Sequence, residues 1–163
     1  MSTYTTSLGN DVHHCHVPGT QPCGKHDFTL AQIKHWRKWL RNHFPLAREI
    51  QPPTLQYNCF GYALAYSFGW FGQFTTDPVE LLINDDFSEI DQSDVQPEDI
   101  VIYRKDGDPT HAAIINRVEN GKITETRGKF GKSSLAFYPD LNLPHPAKYG
   151  TPAQFLRRLP RAE

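Results

Sequence analysis

From Ile100 onward the chain reads as three consecutive β-strands joined by two turn signals, a pattern that few folds accommodate. Ile100-Val101-Ile102-Tyr103 is a β-branched and aromatic run, and Lys105-Asp106-Gly107-Asp108-Pro109 has the composition of a turn. His111-Ala112-Ala113-Ile114-Ile115-Asn116-Arg117-Val118 is a second strand run. Glu119-Asn120-Gly121 signals a hairpin turn, and the third run, Lys122 to Arg127, follows it. Strands joined by such short turns pair antiparallel. Gly128-Lys129-Phe130-Gly131 breaks the third strand. The remainder, carrying Pro139, Pro144, Pro146 and Pro152, is expected to wrap the sheet as irregular chain, with Phe155, Leu156 and Leu159 docking a short last element.

Upstream, the apolar period becomes helical. Asp27 to His43 predicts a helix, with Thr29-Leu30-Ala31-Gln32 as its capping box and Ile33, Trp36, Leu40 and Phe44 on one face. Lys34, Arg37, Lys38 and Arg41 fall largely on the other face, the ordinary division between a packed and a solvated side. Pro45 stops the helix, and Pro52-Pro53 marks a rigid connector. Trp70-Phe71-Gly72-Gln73-Phe74 is an aromatic loop that lines a cleft, closes the core, or does both. Asp77 to Ile83 suggests a further short helix, and Asp85 to Pro97 an acidic surface excursion. Helices first and an antiparallel sheet afterwards predict an α+β fold.

At 163 residues the chain is one domain's worth, preceded by a polar arm over 1–26 that shows no periodicity. The arm holds Cys15, Cys23 and His26 after His13, His14 and His16, in a spacing unlike the familiar zinc patterns. A metal site, a Cys15–Cys23 disulfide and plain surface residues are the three readings of it. A net charge of −1 argues against nucleic-acid binding by bulk electrostatics. No apolar run is long enough to span a bilayer. The start, Met1-Ser2-Thr3-Tyr4-Thr5-Thr6, lacks the basic and apolar stretches of a secretory signal. The expectation is a protein made in the cytoplasm that stays there or leaves by a specialised route.

One cysteine stands out among three. Gln56-Tyr57-Asn58-Cys59-Phe60-Gly61 leads into Tyr62-Ala63-Leu64-Ala65-Tyr66-Ser67-Phe68, which reads as a short buried helix with Cys59 in its first turn. Helix-start N–H groups favour a thiolate, Asn58 is a natural N-cap, and Gly61 leaves room for a substrate backbone. His111, at a turn-to-strand junction, is the candidate base, and the small Ala112 and Ala113 let a helix approach. The hairpin at Asn120-Gly121 returns Thr124, Glu125 and Thr126 toward the His111 strand. Glu125 is the expected imidazole orienter, with Thr124, Thr126 and Arg127 as positions that a register slip exchanges for it.

These residues resemble those of the NlpC/P60 peptidases. Tyr57-Asn58-Cys59-Phe60-Gly61 is similar to that family's cysteine motif, usually Asp-Cys-Ser-Gly. Val95-Gln96-Pro97-Glu98-Asp99-Ile100-Val101-Ile102-Tyr103 resembles its Pro-Gly-Asp strand, and Thr110-His111-Ala112-Ala113-Ile114-Ile115 its His-Val-Gly-Ile strand. Gly121-Lys122-Ile123-Thr124-Glu125 falls where the third catalytic residue belongs. Asn58, Phe60 and Glu98 replace the family's usual Asp, Ser and Gly, and the stretch from Gly128 to Gly150 is closer to an uncharacterised, toxin-associated papain-like branch. The resemblance spans residues 55–131 and implies a papain-like α+β domain over 27–163, its catalytic Cys at a helix start packed on a small sheet. It also implies that Tyr57 assists an oxyanion beside the Cys59 N–H.

The implied chemistry is amide cleavage by Cys59, His111 and Glu125, without cofactor or metal. The expected substrate is a peptidoglycan stem peptide, attacked by a bacterial effector or lytic protein with a delivery or immunity protein as partner. A toxin-like protease or deamidase acting on a protein, and a binding module without catalysis, are the alternatives.

Overall fold

The computed structural model of the chain describes residues 3–13, 27–72, 75–143 and 145–161. A short N-terminal hairpin, β1 (Thr3–Thr5) and β2 (Asp11–His13), stands apart from the main sheet. Helix α1 (Leu30–His43) follows, then β3 (Arg48–Gln51), α2 (Cys59–Leu64), α3 (Asp77–Asp86) and β4 (Phe87–Ile90). The three central strands are β5 (Ile100–Lys105), β6 (Asp108–Glu119) and β7 (Lys122–Lys129). The chain ends with β8 (Leu135–Tyr138), α4 (Pro146–Tyr149) and β9 (Thr151–Arg158). Seven strands form one sheet in the order β3-β8-β7-β6-β5-β9-β4, each neighbouring pair antiparallel.

This is a β-rich fold with few, short helices, which corrects the expected papain-like α+β arrangement of helices packed on a small sheet. Four of the seven strands come from stretches whose local pattern suggested something else. β3 lies between the helix stop at Pro45 and the Pro52-Pro53 connector, β4 in the acidic excursion, and β8 and β9 in the Pro-rich tail. Three of them are only four residues long, and the eight-residue β9 carries Pro152, so each is a weak local signal. They become strands because each supplies hydrogen-bond partners to an otherwise open edge. Pro152 sits opposite Tyr103 at an irregularity in the β5–β9 register, where a missing N–H is tolerated.

The two hairpin turns are the local decisions behind the sheet's centre. Asp106 and Gly107, and then Asn120 and Gly121, all have positive φ, from 52° to 85°. Two left-handed residues in a tight turn give the twist that antiparallel strands require. Helix α1 closes its capping box, the Thr29 hydroxyl accepting from Gln32 N–H and the Gln32 side chain from Thr29 N–H. Only Leu40 of α1 is fully buried, so its packed face is narrower than the periodicity implies. Helix α2 ends at Leu64, short of the expected Phe68, because Tyr66 and Ser67 turn the chain with φ of 54° and 65°.

Strand alternation sends side chains to two cores, one on each face of the sheet. Ile100, Ile102 and Ala112 join Cys59, Phe60, Leu64 and Phe71 beneath α2 and α3. Val101, Tyr103, Ala113 and Ile115 join Leu40, Phe44, Phe130 and Tyr138 on the α1 side. The N-terminal hairpin caps the first core with Tyr4 and Val12, tethered by two buried carboxylates at the end of α3. Asp85 accepts from the Thr6 hydroxyl at 2.6 Å and Asn10 Nδ2 at 2.7 Å. Asp86 accepts from Ser7 N–H at 2.6 Å and from Arg161 at 3.1 Å. Asp85 and Asp86 are therefore anchors, not part of an exposed excursion. Asp86→Ala should lower stability by about 2 kcal/mol, as expected for loss of charged hydrogen bonds from a buried carboxylate. Urea denaturation would measure that loss, with hydrogen exchange showing faster exchange in the N-terminal hairpin.

Candidate functional site

Asn58 caps α2 and also braces it. Its Oδ1 accepts from Gly61 N–H at 2.9 Å and Phe71 N–H at 3.4 Å, and its Nδ2 donates to the Phe71 carbonyl at 2.8 Å. Gly61 lets two stretches of backbone meet: a Cβ there would lie 2.0 Å from the Gly69 carbonyl oxygen. That close approach, rather than room for a substrate, is what the glycine provides. The Tyr57 hydroxyl donates to Gln51 Oε1 at 2.9 Å. Tyr57, Asn58 and Gly61, expected at an oxyanion or substrate, thus each have a structural part, and Asn58 also lines the cavity beside Cys59.

Cys59 opens α2 and is buried, 6% exposed. The Ala112 N–H of β6, the N–H groups of Phe60 and Cys59, and the charge of Lys129 all favour its thiolate. Burial outweighs them and pushes the thiol up to about 11.

His111 stands on the other side of the strand. The pleat that turns Ala112 toward Cys59 turns His111 toward Tyr103 and Phe130. The imidazole stacks on Phe130 with centroids 4.0 Å apart and planes 10° off parallel. Among the described residues no group hydrogen-bonds this ring, and burial alone brings it down to about 3. It is a neutral ring among aromatic ones.

Glu125 is not its orienter. Arg117 is the residue opposite Glu125, six positions along β6 from His111, or roughly 20 Å at the rise of a strand. The Glu125 carboxylate accepts from Arg48 at 2.8 Å and Asn116 at 2.6 Å. The alternatives lie at the same end of the hairpin. Thr126 is opposite Ile115, Arg127 bonds Glu98, Asn116 and Tyr62, and the buried Thr124 hydroxyl has no partner among the described residues. Carrying the Ile114–Arg127 pairing three residues further reaches Phe130, the residue that meets His111.

Lys129 ends β7, inside the stretch whose glycines suggest a strand break. It is fully buried, 0% exposed, beneath α2. Its Nζ donates to the Gly131 carbonyl and lies 5.5 Å from the centroid of Tyr57 and 5.4 Å from that of Trp70. Burial brings this amine down to about 7, against the pull of the Cys59 and Asp27 charges.

A cavity of about 240 Å³ opens where β7 ends, so that side chains from both faces reach it. Asn58, Cys59, Trp70, Phe71, Thr110, His111, Phe130 and Tyr149 are among its walls. A larger hollow of about 460 Å³, between Phe44, Leu46, Tyr138 and Leu143, is lined by no cysteine. Among the described residues no cluster of three His, Cys, Asp or Glu side chains forms a metal site. Cys15, Cys23 and His26 lie outside the described residues. No helix described here is long and apolar enough to cross a membrane.

Fold and site together define a β-rich domain in which a buried cysteine and a buried histidine line one small cavity, with a buried lysine on the cysteine's face of the sheet. The chain belongs to the family described as a domain of unknown function, DUF7689, whose profile matches residues 48–157. That span takes in strands β3 to β8, helices α2 to α4 and all but the last residue of β9. No curated protein and no solved structure matches the chain.

Two residues that matter here, Lys129 and Phe130, had a readable signal. Counting outward from the Asn120–Gly121 turn pairs His111 with Phe130 and carries the third strand through Lys129. The burial of His111 has a measurable consequence. Its folded pKa, about 3, lies below the ordinary value of 6.5, so the unfolded chain binds the proton first. Stability is therefore full above about pH 6.5 and should fall by up to about 1.4 kcal/mol per pH unit between there and pH 3. His111→Phe, which keeps a ring stacked on Phe130, should flatten that part of the stability–pH curve in urea titrations.

Proposed function

We propose that this protein is a thiol-dependent hydrolase of amide bonds, with Cys59 as nucleophile. The observation that supports it is the shared cavity: the free thiol and the neutral ring of His111 both line it. The sulfur bonds to the carbonyl carbon while the thiol proton passes to a base and the oxygen takes the π electrons. Collapse of this adduct breaks the C–N bond, the amine leaves with that proton, and water hydrolyses the thioester. His111, uncharged and in the opposite wall, is a hydrogen-bond partner for the bound amide. Glu125, tied to Arg48 and Asn116, has no part in the step.

A space of about 240 Å³ is smaller than the usual drug-sized pocket and takes one side chain or a chain end, not an extended peptide. The end of a peptidoglycan stem peptide is such a group, which makes the protein a lytic enzyme or effector served by delivery and immunity proteins. A glutamine side chain of a protein target is another. Full burial of both Cys59 and His111 favours a second reading, a binding cavity without chemistry.

Purified peptidoglycan and a glutamine-rich protein would each be incubated with wild type and Cys59→Ala, with products followed by mass spectrometry. New amines or ammonia should appear with wild type and fall at least a hundredfold with Cys59→Ala. Equal release by both would remove Cys59 from the mechanism. No release from either substrate would leave the binding cavity as the better reading.

A further inference from the structure

We infer that Lys129, rather than His111, is the base that receives the Cys59 proton. The inference rests on Cys59 being the nucleophile, and it answers a question that reading leaves open: which group holds the thiol proton during attack.

The pleat of the sheet makes the first argument. Arg127 reaches Tyr62 of α2, so the alternate residue Lys129 lies on that same face, the face Cys59 occupies. His111 belongs with Tyr103 and Phe130 on the opposite face. The charge of Lys129 bears on the Cys59 thiol and that of Cys59 on the lysine, whereas no such interaction ties His111 to the thiol.

Burial of the amine is the second argument. A buried ammonium is normally matched by a carboxylate, and among the described residues none contacts Nζ. Around it stand the rings of Tyr57 and Trp70 and the Gly131 carbonyl, and the charge of the Cys59 thiolate bears on it. The carboxylate of Asp27 acts on it only from a distance, being engaged by the Thr54 hydroxyl and the N–H groups of Phe28 and Leu55. The aromatic faces and the carbonyl support the charged form without an anion, and desolvation opposes it. A lysine so balanced loses its proton near neutrality and has a lone pair to offer. Imidazole brought down to about 3 is a much poorer acceptor.

The step balances within the pair. The S–H bond breaks with its electrons left on sulfur as the C–S bond forms, and the proton makes the third N–H bond on Nζ. When the C–N bond breaks, the same proton leaves with the amine and Lys129 returns to its neutral form.

The test needs no substrate: the rate of Cys59 alkylation by iodoacetamide would be measured from pH 5 to 10 and read by peptide mass spectrometry. Wild type should show a rise centred near pH 7, where Lys129 becomes neutral and the pair can place its remaining proton on nitrogen. Lys129→Met should lower the rate at pH 7.5 at least tenfold and move the rise above pH 9, while His111→Phe should keep the rise near pH 7. A Lys129→Met profile that overlays wild type would overturn the inference, as would loss of the neutral rise in a folded His111→Phe chain. If Lys129→Met does not fold by circular dichroism, wild type and His111→Phe decide. A neutral rise in both supports Lys129, and a rise only in alkali refutes it. Lysine-dependent alkylation in a chain that hydrolyses neither substrate would sink the hydrolase and leave the pair. Cys59-dependent hydrolysis with alkylation indifferent to Lys129 would do the reverse.

Discussion

The register between β6 and β7 is the constraint on which the site depends. A tight turn at Asn120 and Gly121 starts the pairing, and the ladder carries it along the strands, with irregularities on either side of Arg117. Every assignment of side chain to face follows from that register. It gives Phe130 to His111, places Lys129 on the Cys59 face, and leaves Glu125 among Arg48 and Asn116. A slip of one residue would send Lys129 toward the α1 core and Phe130 toward the thiol.

What distinguishes the site electrostatically is dryness. In water a cysteine, a lysine and a histidine ionise in familiar ranges, and here desolvation is the largest influence on all three. It acts in the direction that removes charge, raising the thiol and lowering the two bases. The resulting cavity favours neutral groups and a proton that moves over a short path. Asp85 and Asp86, on the other hand, keep buried carboxylates supplied with donors and serve to hold the N-terminal hairpin over the Cys59 core.

The legible parts of the chain were those where a short stretch carries its own instruction. Thr29 and Gln32 announce the start of α1, and the pairs Asp106-Gly107 and Asn120-Gly121 announce the hairpins. Asn58 before Cys59 marks the start of α2, although the brace to Phe71 depends on a loop thirteen residues away. β3, β4, β8 and β9 were not legible, because a run of only four residues, or a longer one carrying Pro152, becomes a strand only when a neighbour offers an edge. Glu125 has the look of an orienter because the turn shows that the strand returns toward His111, whereas only the ladder shows that Arg117 is the residue opposite it.

The amino-acid sequence by itself determined the central meander, the capped helix and the presence of one thiol at the start of a short buried segment, since each is written in contiguous residues. Only the tertiary structure decided which groups share the cavity. Cys59 and His111 line it from opposite faces of the sheet, and Lys129, eighteen positions after His111, lies on the Cys59 face; each assignment depends on register, pleat and the point where β7 ends. The environment that shifts them is built from Tyr57, Trp70, Phe130 and Tyr149, residues brought together by packing from four separate parts of the chain.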